Sequence, residues 1–524
     1  MTTTPSSVGT ERTTQESLAI TSTWASAQAF LEGIGQLLDH AKDASADYVN
    51  SSHVLTLSDH VRAKNGRSLT WSFGFDLKDL CVLAAILQAP LALRGATDRG
   101  KTHLAARVLT GLFGPQGKGW WRIEVNRGIT IDDLIDVDVG RLSTSKLSAA
   151  ISSAAWVSLP ATLLDEVNRA HAKLINLLLH VIDGSGLNVR GDLSIPIGLP
   201  YIAHGQPKRY SLSILTANEL GADTPGTYEE DAALVRRVVL AFNIDLVPVT
   251  TRDVAALTQG SGKRAKAEPL ACESLVESVI RVYESLPAMV PMSALARLFL
   301  HYLWGLGSCI RTRTGRLRKD LIPQICAACH LSKAHPFCGR VAGLSEGLLI
   351  WCKEIAMGLA AIRAAKVLQA ERADCLSGRA AAIQEFLGSR SEGEDLYGAF
   401  AETYARELAV KGEDMVAAYS LLAPSHLWIS REFVSSQPAY EKSDAYAFAD
   451  IATRSWRTLR EILRKHEPLF SELAENGEVS PTHQAEVEAL ITTEDAAMLS
   501  VIAAFRDADL GLRFSEGSRV DKAA

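Results

Sequence analysis

The sequence is short of aromatic residues and has no surplus of positive charge. Phe, Trp and Tyr make up 6% of its 524 residues, and 54 Lys and Arg stand against 60 Asp and Glu, a formal net charge of -6. Such a chain has no overall basic field to hold nucleic acid non-specifically, so a nucleic-acid contact would need a local patch. Hydrophobic residues at 47% and charged residues at 22% exclude a wholly disordered or collagen-like chain.

Long uninterrupted apolar runs are also missing. The two longest, residues 77–93 and 348–362, each contain charged side chains, so neither supplies the roughly 20 apolar residues of a membrane-spanning helix. Residues 1–16 contain eight Ser or Thr and no apolar run, so we expect a disordered tail and no secretory signal there. Eight cysteines spread along a chain without such a signal favour reduced thiols, and we expect a cytoplasmic protein that does not act at a membrane.

Sequence pattern divides the chain into an α/β part and helical parts. Between residues 76 and 250, short apolar runs alternate with helical segments and turns, as a covered parallel sheet requires. Gly260 to Ala267 is predicted to be a solvated linker, and the pattern after it is helical. The predicted units are the tail (1–16), an N-terminal helical element (17–60), an α/β domain (61–250), a helical lid (268–375) and an all-α C-terminal domain (376–524).

Individual elements are predicted from apolar runs and their spacing. The runs expected to form buried strands are 90–94, 122–125, 162–164 and 211–216. In the C-terminal domain an apolar residue recurs every three or four positions from Phe448 to Leu463. That spacing predicts an amphipathic helix that is capped at Ser443-Asp444 and ends near Pro468.

A candidate phosphate-binding loop lies between the first predicted strand and the next helix. Residues 95–102 satisfy the pattern GxxxxGK[ST] in its strand–loop–helix context. Such a loop wraps backbone N–H groups around phosphate oxygens at a helix N-terminus. We expect Lys101 to reach the β- and γ-phosphates of a nucleotide and the Thr102 hydroxyl to bind Mg²⁺. The predicted binding residues are Gly95, Ala96, Thr97, Asp98, Arg99, Gly100, Lys101 and Thr102.

Two carboxylates and an amide follow at the ends of later strands. Asp165 and Glu166 end the strand of ATLLDEVNRA, at the edge where parallel sheets hold their ligands. Asp165 is predicted to hold Mg²⁺, and Glu166 to orient and polarise the attacking water. Asn218 ends the strand of SLSILTAN and is a candidate to act between that water and the γ-phosphate, although a strand-end Asn is equally typical of a turn.

Two arginines end the helical segment of GTYEEDAALVRRVV. An arginine at this place can cap the last carbonyls of its own helix, or it can reach across a subunit boundary to a neighbour's γ-phosphate. Spacing alone does not choose between these roles for Arg236 and Arg237.

Residues 95–245 resemble the MoxR-like branch of AAA+ ATPases. The resemblance rests on the loop, the LLDEVNRA form of the second motif, the hairpin-like insert GLNVRGDLSIPI and the GTY segment before Arg236. It implies an AAA+ P-loop fold that hydrolyses ATP to ADP and phosphate with Mg²⁺, in a homo-oligomeric ring that is usually a hexamer. It also implies that Arg237 is the arginine finger for the neighbour's site, and that Asn168 and Arg169 line that interface.

The resemblance further implies a client protein that is remodelled or activated, often one with a von Willebrand A-type domain. The family's lid arginine falls on Gly347 in this chain, with Arg340 as a candidate replacement. Two other functions stay open: an McrB-like motor that works with a nuclease on DNA, and a nucleotide-gated scaffold with little turnover. The motor would need the basic cluster between Arg311 and Lys319, or Arg190 of the hairpin insert, to face the pore.

A cysteine cluster in the predicted lid is a candidate metal site. Cys326, Cys329 and Cys338, with two nearby histidines, supply enough soft ligands for zinc or an iron–sulfur cluster. A second CxxC pair is missing, and cysteines three positions apart on a helix are often buried packing residues. Helical packing is therefore the favoured interpretation.

Overall fold

The computed structural model of the chain describes residues 18–20, 24–46, 48, 52–62, 68–125, 135–137, 151–153, 155–170, 172–190, 193–218, 232–247, 250–251, 253, 274–308, 344–375, 380–388, 393–427, 429, 434–435, 444–476 and 479–506. Its strands are β1 (Leu18–Ile20), β2 (Leu55–Arg62), β3 (Ser68–Phe75), β4 (Leu91–Gly95), β5 (Trp120–Glu124), β6 (Ile135–Val137), β7 (Ile151–Ser153), β8 (Ala161–Asp165), β9 (Leu187–Arg190), β10 (Leu193–Ile195), β11 (Leu199–Ala203), β12 (Gln206–Tyr210), β13 (Leu212–Asn218) and β14 (Leu240–Asn243). Its α-helices are α1 (Ala27–Ala44), α2 (Leu77–Leu87), α3 (Lys101–Phe113), α4 (Ala172–Ile182), α5 (Ala232–Arg237), α6 (Val276–Met289), α7 (Ala294–Ser308), α8 (Glu346–Cys375), α9 (Ala380–Leu387), α10 (Gly393–Arg406), α11 (Gly412–His426), α12 (Asp444–Lys465), α13 (Glu467–Asn476) and α14 (Pro481–Arg506).

Five strands of the described chain form a parallel sheet in the order β14-β4-β13-β8-β5. Successive side chains of a strand point to opposite faces, and both faces of this sheet are buried. Leu91, Leu93 and Leu163 belong to one hydrophobic cluster, while Ala92 and Leu164 belong to a second. The first cluster includes residues of α1, α2 and α3, and the second includes residues of α4. The sheet is therefore covered by helices on both sides, which confirms the predicted α/β fold.

All five strands end at the same edge of this sheet. Gly95 of β4 lies in register with Asn218 of β13, and Glu124 of β5 lies in register with Asp165 of β8. The predicted strands 90–94, 122–125, 162–164 and 211–216 overlap β4, β5, β8 and β13, within one or two residues at each end. The hairpin-like insert is also observed, as the antiparallel pair β9 and β10.

The N-terminal region contains a β-hairpin as well as the predicted helix. Strands β2 and β3 pair along their whole length, from Leu55 opposite Phe75 to Arg62 opposite Ser68. The hairpin runs across residue 60, where the sequence pattern placed a unit boundary. Alternation along β3 buries Leu69, Trp71 and Phe75.

A buried ion network joins this hairpin to the long helix α8. The Arg363 guanidinium donates to both carboxylate oxygens of Asp414 at 2.9 and 2.8 Å and also pairs with Asp59, which is 1% exposed. Burial alone would raise the pKa of Asp59, but Arg363 and Lys411 hold it below its ordinary value. One turn along the helix, Lys366 pairs with Asp79 at 2.5 Å. Helix α8 thus contributes a charged stripe to the interior.

The helices after residue 274 build the rest of the structure. Helix α12 spans Asp444–Lys465, and the six apolar residues that predicted it are all buried. The prediction of this amphipathic helix is confirmed. No helix among the described residues is long and apolar enough to cross a membrane.

Candidate functional site

The predicted phosphate-binding loop connects the end of β4 to the start of α3. Gly95 has φ 144° and Gly100, the N-cap of α3, has φ 78°. A Cβ at Gly95 would lie 3.1 Å from a carboxylate oxygen of Asp245, so the loop needs glycine there for both conformation and space. Ala96, Thr97 and Asp98 are exposed, so this part of the loop is open to solvent. The N–H groups and the dipole at the N-terminus of α3 make this end of the helix suited to hold an anion.

Lys101 is buried at the base of the loop, with 6% of its surface exposed. Its ammonium donates to the backbone carbonyls of Gly95 at 2.9 Å and Ala96 at 2.6 Å. Burial lowers its pKa from the ordinary lysine value, although the nearby carboxylates of Asp245, Asp165 and Glu166 act in the opposite direction. The Lys101 ammonium is therefore held against the loop backbone at the N-terminus of α3.

Asp165 is the centre of a hydrogen-bonded cluster at the sheet edge. The Thr102 hydroxyl donates to Oδ1 of Asp165 at 2.7 Å, and the Thr216 hydroxyl also donates to Oδ1. Oδ2 accepts from the Arg122 guanidinium at 2.5 Å. The structure thus brings together Thr102 and Asp165, the two residues predicted to bind a metal ion. Thr216 and Arg122 were not predicted.

The Thr102 hydroxyl and the Asp165 carboxylate are hard oxygen donors of the kind that Mg²⁺ prefers. Mg²⁺ in nucleotide sites is usually held by one or two protein oxygens together with the phosphates and water. Among the described residues there is no group of three or more His, Cys, Asp or Glu that could hold a metal ion by itself. The donor set therefore fits Mg²⁺ that arrives with a nucleotide.

Glu166 follows Asp165 and is held by two neighbours. Its Oε1 accepts from the Asn218 side-chain amide at 3.3 Å, and its Oε2 pairs with Arg169 at 3.0 Å. The Glu166 backbone has φ 58°, the left-handed region that side chains disfavour, and its N–H donates to the Thr216 hydroxyl at 3.0 Å. Glu166 and Asn218, two of the residues predicted to act on the attacking water, are therefore neighbours across the ends of β8 and β13.

Asn168 fixes the ends of the same two strands to each other. Its side-chain amide donates to the backbone carbonyl of Asn218 at 2.7 Å. Asn168 is buried, and its predicted place at a subunit interface is not tested by this intramolecular contact. The bond connects the segment after β8 to the end of β13, which keeps Glu166 and Asn218 at a fixed distance.

Asp245 is a site residue that the sequence analysis missed. Its carboxylate accepts from the Ala96 N–H at 2.6 Å and from Nε of Arg99 at 2.7 Å, so it joins the two limbs of the loop. Asp245 lies just after β14, the strand beside β4. The available signal was its position at the end of an apolar run, as for Asp165.

Arg237 precedes β14 and lies near Pro90, before the start of β4, whereas the residues above follow the ends of strands, so Arg237 lies at the opposite edge of the parallel sheet. It ends helix α5, as predicted, and its Nε pairs with Asp183 at 3.1 Å, instead of with a described residue of the phosphate site. Arg236 beside it is exposed. The structure does not place Arg237 in the pocket of its own chain.

Several predicted features lie outside the described residues. They are the basic cluster 311–319, Arg340 and the cysteines at 326, 329 and 338. Only the backbone is described for Arg190. Gly347, where the resemblance would place a lid arginine, lies in the first turn of α8, and an added Cβ would meet nothing within 4 Å.

Comparisons with known proteins give a distant structural match. No protein-family model matches the chain, and no curated protein matches it. In contrast, 188 chains of solved structures match. One of them, described as a "putative ATPase" from Cytophaga hutchinsonii, is 12% identical, with a TM-score of 0.47, over 81% of this chain and 96% of that chain.

Proposed function

We propose that this protein is an ATPase that hydrolyses ATP to ADP and phosphate at the carboxyl edge of its parallel sheet. One observation carries the proposal: five polar residues converge there from three different strand ends. They are Lys101 and Thr102 after β4, Asp165 and Glu166 at the end of β8, and Asn218 at the end of β13. Polar residues that only formed a turn at one strand end would not need polar partners at the other two strand ends.

In the proposed reaction the loop and Lys101 bind the β- and γ-phosphates of ATP. The N–H groups at the start of α3 and the Lys101 ammonium supply positive charge where the triphosphate is negative. Mg²⁺, held by Thr102 and Asp165, would neutralise further negative charge on the phosphates. Positioning and electrostatic stabilisation of this kind account for most of the catalysis of phosphoryl transfer.

Glu166 then orients and polarises the water that attacks the γ-phosphate. Its carboxylate is placed by the Asn218 amide at 3.3 Å, which also lies where it can hold that water. Oε2 of Glu166 pairs with Arg169 at 3.0 Å and, as a carboxylate oxygen with two lone pairs, can still accept a hydrogen bond from water.

We also propose the finer assignment, an AAA+ ATPase of MoxR-like type that works as a homo-oligomeric ring on a client protein. It is supported by the order of motifs in the sequence and by Arg237, whose guanidinium lies outside the pocket of its own chain. Such a placement suits an arginine that completes the pocket of a neighbouring copy. The client, by the same resemblance, is a protein that the ring remodels or activates.

The variant Glu166→Gln tests the ATPase proposal. The amide keeps the size of the side chain but cannot polarise water as a carboxylate does, so ATP binding should persist while phosphate release falls at least a hundredfold, about 3 kcal/mol of barrier. Binding is measured by isothermal titration calorimetry and turnover by phosphate release. Glu277→Gln, in an exposed ion pair with Arg281, is the matched control and should leave both unchanged.

Equal turnover in Glu166→Gln and the parent would remove Glu166 from its role. Binding of ATP without turnover by the parent would favour the nucleotide-gated scaffold instead.

A further inference from the structure

The edge strand β5 carries an arginine directly beside the predicted metal-binding carboxylate. Glu124 of β5 lies in register with Asp165, and Arg122 precedes Glu124 by two residues, so alternation along the strand places Arg122 on the same face as Asp165. Its Nη2 lies 2.5 Å from Oδ2 of Asp165. The two side chains differ in burial: 38% of Arg122 is exposed, against 4% of Asp165.

The two oxygens of Asp165 have separate partners. Oδ1 accepts hydrogen bonds from the hydroxyls of Thr102 and Thr216, and Oδ2 forms the ion pair with Arg122. The hydroxyls are neutral, so Arg122 supplies the positive charge in direct contact with this buried carboxylate. A buried carboxylate depends on such a partner.

We propose that Arg122 and Mg²⁺ compete for Asp165, so that Arg122 sets the magnesium dependence of nucleotide binding. The inference rests on the proposed function, because it takes Asp165 as the Mg²⁺-holding residue of an ATP site. A guanidinium and a divalent cation that share one carboxylate repel each other, and the low dielectric of a buried group strengthens that repulsion. Asp165 is fixed by two hydroxyls, whereas Arg122 reaches solvent, so Arg122 is the group that gives way.

The competition has opposite consequences with and without the metal ion. When Mg²⁺ is present, removing Arg122 removes its competitor, and MgATP should bind more tightly. When Mg²⁺ is chelated, removing Arg122 leaves Asp165 without the cation in direct contact with it, and the less compensated carboxylate should repel the triphosphate. Arg122 therefore controls one ratio: the dissociation constant of the nucleotide in EDTA divided by its dissociation constant in Mg²⁺.

The experiment measures that ratio for the full-length protein with the fluorescent, non-hydrolysable analogue mant-AMPPNP. Arg122→Gln should raise the ratio at least about fivefold, since an ion pair of this exposure is worth about 1 kcal/mol. Arg122→Lys keeps the charge and should stay within about twofold of the parent. Lys118→Gln removes an exposed charge from the turn before β5 and should leave the ratio unchanged.

Three results would overturn the inference: an unchanged ratio in Arg122→Gln, the same change in Lys118→Gln, or Arg122→Lys matching Arg122→Gln. An unchanged ratio with both dissociation constants increased equally in Arg122→Gln would mean that Arg122 contacts the nucleotide and not Asp165. A parent protein that binds mant-AMPPNP in neither buffer would instead contradict the proposed function. Failure of the competition between Arg122 and Mg²⁺ can thus be told apart from failure of the proposed ATP site.

Discussion

Two residues of the site hold a backbone conformation that most side chains disfavour. Asp98 in the loop has φ 63° and Glu166 at the end of β8 has φ 58°. Strained backbone of this kind persists where surrounding contacts enforce it, and it is concentrated at functional sites. At Glu166 the Thr216 hydroxyl accepts a hydrogen bond from the backbone N–H, while Asn218 and Arg169 hold the carboxylate.

The conformation of Asp98 predicts an asymmetric response to substitution. Asp98 is exposed, so replacing it loses little packing, and because Gly and Val both remove its charge, the difference between the two variants should come from φ. Asp98→Gly should keep nucleotide affinity and thermal stability, whereas Asp98→Val should lose about 1–2 kcal/mol of stability, because a β-branched residue tolerates the left-handed region poorly. Calorimetric ATP affinity and the thermal midpoint are the measurements.

Thr97→Val serves as the control, since Thr97 is an exposed neighbour in the same loop without a positive φ. Equal stability of Asp98→Val and Asp98→Gly would contradict the account of the loop.

Among single residues, the sequence predicted those that belong to motifs and missed those whose place depends on the order of strands in the sheet. Lys101, Thr102, Asp165, Glu166 and Asn218 were recognisable because each ends a strand or begins a helix in a known pattern. Arg122, Thr216 and Asp245 reach the site only because β5 and β13 flank β8 and because β14 lies beside β4. The spacing of residues along the sequence does not reveal the order of the strands in the sheet.

Strand β2 shows why one element escaped prediction. In β2, the alternation that buries Leu57 also buries Asp59, so the strand breaks the usual apolar pattern. The charge of Asp59 is balanced by Arg363 and Lys411, about 300 residues or more away in sequence. A buried carboxylate with distant partners hides a strand from local pattern analysis, whereas α12, whose apolar residues obey helical spacing, was predicted within three residues at each end.

The Arg363 network predicts a large loss of stability from one substitution. Arg363→Met should lower the stability of the folded chain by about 3–5 kcal/mol, because it leaves Asp59 and Asp414 buried without their shared partner. Adding Asp59→Asn and Asp414→Asn should recover part of the loss. Differential scanning fluorimetry of the single and triple variants measures both effects.

Arg454→Met is the matched control for this experiment. Arg454 forms an exposed pair with Asp450 one turn away on α12, and such pairs contribute about 0.3–0.5 kcal/mol. A midpoint shift in Arg363→Met no larger than in this control would show that the buried network does not hold the hairpin to α8.

On the scale of the whole molecule, one hydrophobic cluster runs from Phe30 in α1 to Ala504 in α14. It contains one face of the parallel sheet and residues of the long helix α8, so the α/β part and the helices share a core. The boundaries drawn from sequence at 250 and 268 remain predictions, because adjoining units with a continuous core have no gap in packing to mark them. What the sequence did establish at this scale is the class of fold, since alternating strand and helix signals require a parallel sheet.

In the proposed ring, neighbouring copies of the chain complete each other's nucleotide site. Loss of an arginine finger costs on the order of 10³-fold in turnover, about 4 kcal/mol of barrier, so Arg237→Ala should be nearly inactive alone. Glu166→Gln should be inactive for a different reason. In a ring formed from both variants, about a quarter of the interfaces would pair an intact Glu166 with an intact Arg237 from the neighbour.

Phosphate release from ATP by an equimolar mixture of Arg237→Ala and Glu166→Gln is the most direct test of the account. We predict that each variant alone is inactive and that the mixture regains up to about a quarter of the parent's rate per subunit. A parent that hydrolyses ATP, together with a mixture no more active than its two components, would contradict a pocket shared between copies.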